Sequence, residues 1–279
     1  MINDDDEKFF AENGYLIVHG VFSRPELDAF DQTLKYVIRQ NLIKASTPER
    51  NADSEVECGE EFDKGTAILE EINHAHIVDL YDSICNTPQF VYLSVKPEMA
   101  EIARRLLGLG PSDSTYMLTQ RCRIDLSSDT PFTFAWHQEV FYSIPKSAFV
   151  QTWMPLVRPS SSENGALDVC VGSHREGIAP QTWRHANGLP SQITVDDDVV
   201  AKYQRRTVEI DRGTALFFSG KLIHRSGRNT SGTTRFTLVG SYHDIGSPAF
   251  QPPKFRAEFK GQSQQSYYQE VFGRVVEPA

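Results

Sequence analysis

The sequence predicts a mainly β fold, a double-stranded β-helix (jelly roll) with flanking helices. Three observations predict it. The first third carries helical patterns, the texture changes near residue 114 to many short β-rich runs, and the connections between those runs are long and polar. A chain of 279 residues suits one such domain. Its expected parts are 1–113 as mainly helical support and loop, 114–245 as the jelly-roll core, and 246–279 as a C-terminal extension.

Asp4 to Asp6 are placed to cap a short helix carrying Phe9 and Phe10, and Asn13-Gly14 ends it. Tyr15 to Val18 reads as a strand. Ser23-Arg24-Pro25-Glu26 has capping-box spacing with proline in the first turn, and Leu27, Phe30, Leu34 and Ile38 continue as an apolar stripe at helical spacing. Residues 43–73 are polar and weakly periodic, the pattern of a long surface excursion. A further helix spans roughly Pro97 to Leu107. The expected strands are Tyr116–Asp125, Phe132–Tyr142, Phe149–Leu156, Ala166–Val171, Thr207–Ile210, Thr214–Phe218 and Arg235–Tyr242, with 175–206 as a second polar insertion.

The formal net charge of −9 argues against a nucleic-acid partner, since phosphate binding needs a basic face. Cys58, Cys85, Cys122 and Cys170 are widely spaced without a C-x-x-C, which argues against a disulfide framework or a thiolate zinc site. The acidic N-terminus has no apolar targeting core, and no stretch approaches the ~20 apolar residues of a membrane span. The expectation is a soluble cytoplasmic protein with a small-molecule partner.

Two segments carry chemistry. In Trp136-His137-Gln138-Glu139, side chains at i and i+2 of a strand share a face, so His137 and Glu139 would point together and Gln138 away. Far downstream an apolar strand, 214–218, runs into a turn followed by His224. Two imidazoles and a carboxylate are the donor set of a 2-His-1-carboxylate iron site. Alone, each piece has a plain structural reading: H-x-E is a short pattern, His224 suits a hydrogen-bonded loop, and Arg235 suits a surface. His174 in Gly172-Ser173-His174 reads as structural, Asn164-Gly165 as a tight turn, and His74 and His76 as surface histidines.

The ordered set resembles the phytanoyl-CoA dioxygenase family over nearly the whole chain. The matching stretches are Phe10 to Val18, Gln151-Thr152-Trp153-Met154-Pro155-Leu156, Glu163-Asn164-Gly165-Ala166-Leu167, Gly172-Ser173-His174, and His224 to Ser231 with Arg235. The resemblance implies an enzyme using Fe(II), 2-oxoglutarate and O2, with His137, Glu139 and His224 as metal ligands. It implies that Arg235 binds the far carboxylate of 2-oxoglutarate with help from Ser226, and that Trp153 and Gln120 line the cosubstrate pocket. It implies hydroxylation of an unactivated C–H with release of succinate and CO2; the resemblance does not choose the substrate, and the expectation for it is a small polar metabolite or natural-product intermediate. The family usually has H-x-D; Glu139 is one methylene longer and can ligate from a withdrawn backbone. A carboxylate there, rather than a small residue, points to oxygenation instead of halogenation.

Two other readings of these residues stay open: a non-catalytic jelly-roll binding protein, and a cupin-type metal enzyme that does not use 2-oxoglutarate. The second leaves Arg235 without a role. Arg121 and Arg123 lie two apart in a β-rich run and share a face. If that face turns inward and the pair is unpaired, an anionic group on the substrate would neutralise it, with 43–73 and 175–206 closing over it.

Overall fold

The computed structural model describes residues 2–45, 62–127, 135–144, 147–184 and 192–252. Helix α1 (Asp4–Asn13) is capped by Asn3, whose side chain accepts from the amides of Asp5 and Asp6 while the Asp6 carboxylate returns to the Asn3 amide. The cap thus precedes the expected aspartates, which fill the first turn and favour the helix dipole. Gly14, left-handed at φ 82°, turns the chain into β1 (Tyr15–Val18). Helix α2 (Arg24–Ala45) begins where Ser23 donates its amide and hydroxyl to Glu26, at 2.7 and 2.8 Å, and its stripe Leu27, Phe30, Leu34 and Ile38 is buried.

The expected surface excursion 43–73 is corrected by a helix, α3 (Phe62–Ile72); residues 46–61 lie outside the described part. Leu69 is buried with Phe62 and Ile68 packed against the core, while Gly65 and Thr66 interrupt the apolar positions of the inner face. Gly65 packs where a side chain would strike Ile38, and Thr66 shares a 2.7 Å hydrogen bond with Thr234. Asp63 fastens the helix: it accepts from both terminal nitrogens of Arg158 at 3.1 and 3.0 Å and from the Thr234 amide at 2.6 Å. Helices α4 (Ala75–Cys85), α5 (Pro88–Ser94) and α6 (Pro97–Leu106) complete the support.

Strands β2 (Thr115–Asp125), β3 (Phe149–Pro155), β8 (Ala215–Ser219) and β10 (Arg235–Asp244) join β1 in a five-stranded antiparallel sheet, ordered β1-β8-β3-β10-β2. Strands β4 (Leu167–Cys170), β7 (Arg205–Val208) and β9 (His224–Ser226) form a second sheet, ordered β7-β4-β9. Alternation sorts the large sheet. Val150, Met154, Phe217, Phe236, Leu238 and Tyr242 pack in one core with the helices, while Trp153, Leu216 and Phe218 pack with Leu167 and Val169 of the second sheet. The jelly roll with flanking helices is therefore borne out.

Two expectations change. Residues 135–142 are not a strand: His137 makes an isolated bridge and Glu139–Phe141 is a 3-10 turn, while 128–134 lie outside the described residues. The insertion 175–206 contains a hairpin, β5 (Gln181–Arg184) with β6 (Gln192–Val195), then α7 (Asp197–Val200) and the start of β7; residues 185–191 lie outside the described part. Residues 253–279 of the expected C-terminal extension also lie outside it. Among the described residues no helix is long and apolar enough to cross a membrane.

Asp63→Ala removes three hydrogen bonds that dock α3, two of them from a guanidinium. The expected outcome is a loss of about 1–3 kcal/mol of stability, read as a lower midpoint of denaturant unfolding. An unchanged midpoint would show that α3 docks by its apolar contacts alone.

Candidate metal centre and cosubstrate pocket

His137 and His224 exchange backbone hydrogen bonds, 2.9 Å from the His137 amide to the His224 carbonyl and 3.0 Å in return. This antiparallel pair brings two distant segments together and holds the ring centroids 4.3 Å apart. Each Nδ1 lies against a carbonyl two residues back, Ala135 at 2.7 Å and Leu222 at 2.9 Å. A proton on each Nδ1 satisfies those carbonyls and leaves each Nε2 as an acceptor. Glu139, opening the 3-10 turn, brings Oε1 to 3.6 Å from Nε2 of His137 and 3.4 Å from Nε2 of His224. One ligand atom from each of the three residues lies within 4.8 Å of the others.

The electrostatics suit a cation. Burial alone would raise the Glu139 carboxyl, but the facing imidazoles outweigh it and hold the group well below the ordinary carboxylate range. Burial, then the neighbouring His137, lowers His224 and favours its neutral form. With the Nδ1 proton of each ring on its carbonyl, three acceptor atoms converge, an arrangement that a divalent cation resolves. His137, Glu139 and His224 therefore fit iron by donor type and convergence.

Residues on either side fix these ligands. Gln138 is buried, as its opposite direction implies, and its amide donates to the carbonyls of Gly177 and Lys221 while accepting from Ala179. Tyr142 sets its ring edge-on to His137 at 5.5 Å and holds the hairpin through Ile193, whose amide donates to the Tyr142 hydroxyl at 2.9 Å. The Val195 amide donates to the Trp136 carbonyl at 2.7 Å.

Arg235 is fully buried on the inner face of β10. Its Nε and Nη2 donate to Asp125 Oδ2 at 3.3 and 2.9 Å, and Nη1 donates to the Asn164 carbonyl at 3.2 Å. A guanidinium has five N–H groups, so donors remain for an anion. Its carbon lies 5.4 Å from the Trp153 ring centre. Gly165, at φ 86°, gives this space: a side chain there would strike Arg235 and the Gly227 carbonyl. Ser226 is buried and shares the inner face of β9 with His224. Thus Arg235 lies over Trp153 on the inside of the roll, and Ser226 is buried on the face of β9 that carries His224.

Asp125 was not singled out in the sequence. It also pairs with Arg123, 2.7 Å from Nη2 to Oδ1. Burial would raise its carboxyl, but Arg123 and then Arg235 outweigh that and hold it below its ordinary value. Arg123 therefore has an internal counter-ion, which removes the premise that it and Arg121 are unpaired and need an anionic substrate. Arg121 is exposed, and its charge acts on Tyr81 of α4. Gln120 departs from its expected place. Its amide packs over Gly240, on the side of β10 that carries Leu238 and Tyr242 and faces the helices. The β2–β10 register shifts here, with Arg121 opposite Val239 and Leu118 opposite Ser241, so the face taken by Gln120 does not follow from counting along the strand. His174 is structural, with Nε2 3.1 Å from the Ala11 carbonyl; His74 pairs with Glu70 on the helices at 2.8 Å.

The sequence profile of phytanoyl-CoA dioxygenase (PhyH) matches residues 10–237. The chain belongs to the phytanoyl-CoA dioxygenase family. With this donor set it is a dioxygenase of the iron(II)- and 2-oxoglutarate-dependent class. Within the family it is 24% identical over 293 residues to phytanoyl-CoA dioxygenase domain-containing protein 1 of Danio rerio, covering 89% of this chain and 94% of the relative. It is 27% identical over 131 residues to L-proline trans-4-hydroxylase of Streptomyces griseoviridis, covering 42% and 48%. Among solved structures, EctD from S. alaskensis with 2-oxoglutarate and 5-hydroxyectoine shares the fold at TM-score 0.57 and 18% identity, over 88% of this chain and 77% of that one. The epimerase SnoN with Fe3+, alpha ketoglutarate and nogalamycin RO shares it at TM-score 0.58 and 16% identity, over 86% and 83%.

Two outcomes follow from this geometry. His137→Ala, Glu139→Ala and His224→Ala should each lose most divalent-metal affinity, at least about 10–100-fold, while circular dichroism stays folded; wild-type titration curves in any of them would remove that residue from the ligand set. Asp125→Asn leaves the buried Arg235 and the part-buried Arg123 undercompensated and should cost about 3–5 kcal/mol. Because the folded carboxyl titrates below its unfolded value near ~3.9, this stability is present above that pH and is lost as pH falls through the folded value. The variant should show a shallower acid limb in unfolding; an acid limb identical to wild type would contradict the pairing.

Proposed function

We propose that this chain hydroxylates a C–H bond of a small polar substrate while 2-oxoglutarate is decarboxylated to succinate and CO2. In this reading His137, Glu139 and His224 hold iron(II), and Arg235 holds the far carboxylate of 2-oxoglutarate. The observation that carries it is the convergence of two imidazoles and a carboxylate on the same interior as a buried arginine with N–H groups to spare. Iron, when bound, supplies the redox chemistry that activates dioxygen.

The chain's own residues do the rest. Asp125 and the Asn164 carbonyl aim the Arg235 guanidinium, and a planar fork binds a carboxylate bidentately without changing charge. Ser226 adds a hydroxyl beside the metal ligands, and the Trp153 ring limits the pocket and keeps water from the arginine. The Ala135 and Leu222 carbonyls keep Nε2 of each histidine free for the metal. The named activity of L-proline trans-4-hydroxylase and the 5-hydroxyectoine held by EctD support hydroxylation of small polar molecules.

Arg235→Ala should raise the apparent KM for 2-oxoglutarate much more than it weakens iron binding. The lost pair is worth about 2–5 kcal/mol if the carboxylate stays buried. The check is anaerobic titration with Fe(II) and 2-oxoglutarate, followed by succinate release across a panel of polar metabolites. Unchanged dependence on 2-oxoglutarate would take Arg235 out of this role, and turnover without 2-oxoglutarate would overturn the reaction.

A further inference from the structure

We propose that His243 is a positioning residue for the Glu139 carboxylate, acting through Ser143 on one side of the turn and through Phe149 and Gly220 on the other. This rests on the reading of Glu139 as a metal ligand. The turn that carries Glu139 is only three residues long, with the Tyr142 amide bonding back to the Glu139 carbonyl at 2.9 Å. So short a turn does not fix itself, and glutamate has one more rotatable bond than the aspartate usual in this family. The position of the carboxylate therefore depends on what holds the turn from outside.

His243 is fully buried on β10, on the inner face shared with Arg235. Its Nε2 lies 2.9 Å from the Ser143 hydroxyl and 3.0 Å from that of Ser241, and its Nδ1 lies 3.1 Å from the Ser147 hydroxyl. Burial pushes the imidazole down to about 4, so it is neutral at ordinary pH. Ser143 directly follows Tyr142 and ties the far end of the turn to β10. The near end is held by the other face of the same ring. His243 stacks on Phe149 at 4.5 Å and 23°, and the Phe149 ring fills the space that a side chain at Gly220 would need. The Gly220 carbonyl accepts from the Val140 amide at 3.2 Å, one residue past Glu139. Two restraints on the ligand turn, beside those through Gln138 and Tyr142, thus converge on one imidazole.

The Ser143–His243 contact resembles a nucleophile with its base. Here Nε2 is shared between two hydroxyls and Nδ1 faces Ser147 rather than a carboxylate, so the arrangement orients a loop and does not activate a hydroxyl.

The test is cobalt(II) titration of the purified chain, with the visible d–d spectrum as a second readout. Ser143→Ala removes one tether and leaves the buried ring in place; His243→Phe keeps a flat ring but loses the hydroxyl partners; His243→Gln returns a polar group near Nε2. Both Ser143→Ala and His243→Phe should bind cobalt(II) about 10–100-fold more weakly with an altered spectrum, and His243→Gln should recover part of the loss. Should His243→Phe fail to fold, Ser143→Ala decides alone. Affinity within twofold of wild type and an unaltered spectrum in the folded variants overturn the role of His243. No cobalt binding in wild type, or undiminished binding in His137→Ala, overturns the ligand assignment and this proposal with it.

Discussion

The backbone pair between His137 and His224 is the constraint on which the rest depends. Two ligands come from a segment before the second sheet is built and the third from the strand that completes it. Reciprocal hydrogen bonds give these segments one register, and register decides which face each side chain takes. A slip of one residue would send an imidazole away from its partner. The surrounding bonds to Trp136, Gln138 and Val140 all hold that register.

Polar groups buried inside the roll are arranged in two separate ways. Arg123, Asp125 and Arg235 form a charged chain in which one carboxylate serves two guanidiniums, leaving a net positive charge. His243 with its serines is a neutral cluster in which hydroxyl rotation satisfies a buried ring. The charged chain suits ligand capture and the neutral one suits shape. Glu139 stands between backbone and metal in a third way. Its turn departs from strand geometry, and the extra methylene carries the carboxylate back to within 3.4–3.6 Å of the imidazoles.

Much of this was legible in the sequence. The shared direction of the H-x-E pair is legible from residue type and spacing, His224 and Arg235 only through the ordered resemblance to the family, and strands β2, β3, β8 and β10 from their texture. His137 and Glu139 come together by a local structure other than the strand alternation that their spacing predicts: a bridge followed by a turn achieves it. Asp125 was missed because a carboxylate at a strand end carries no signal until a partner from another strand lies beside it. His243 was missed because serines and a histidine spread over a hundred residues make no pattern in one dimension. Helix α3 was missed because its inner face is glycine, threonine and leucine, and Asp63 anchors it through a charge that reads as surface.

The hairpin β5–β6 meets the ligand segment at three points: the Ala135 amide donates to the Gln192 side chain, the Val195 amide to the Trp136 carbonyl, and the Ile193 amide to the Tyr142 hydroxyl. Insertions in jelly rolls are commonly where lineages diverge, because a loop can change without disturbing the scaffold. Here that freedom is limited. A graft of another hairpin would have to keep the bonding pattern of Gln192, Ile193 and Val195, or it would alter the iron site together with the wall it was meant to redesign. Outward-facing positions such as Arg184 remain open to variation. Evolvability in this chain is thus divided along a single hairpin, with its inner edge tied to the chemistry and its outer edge free to drift.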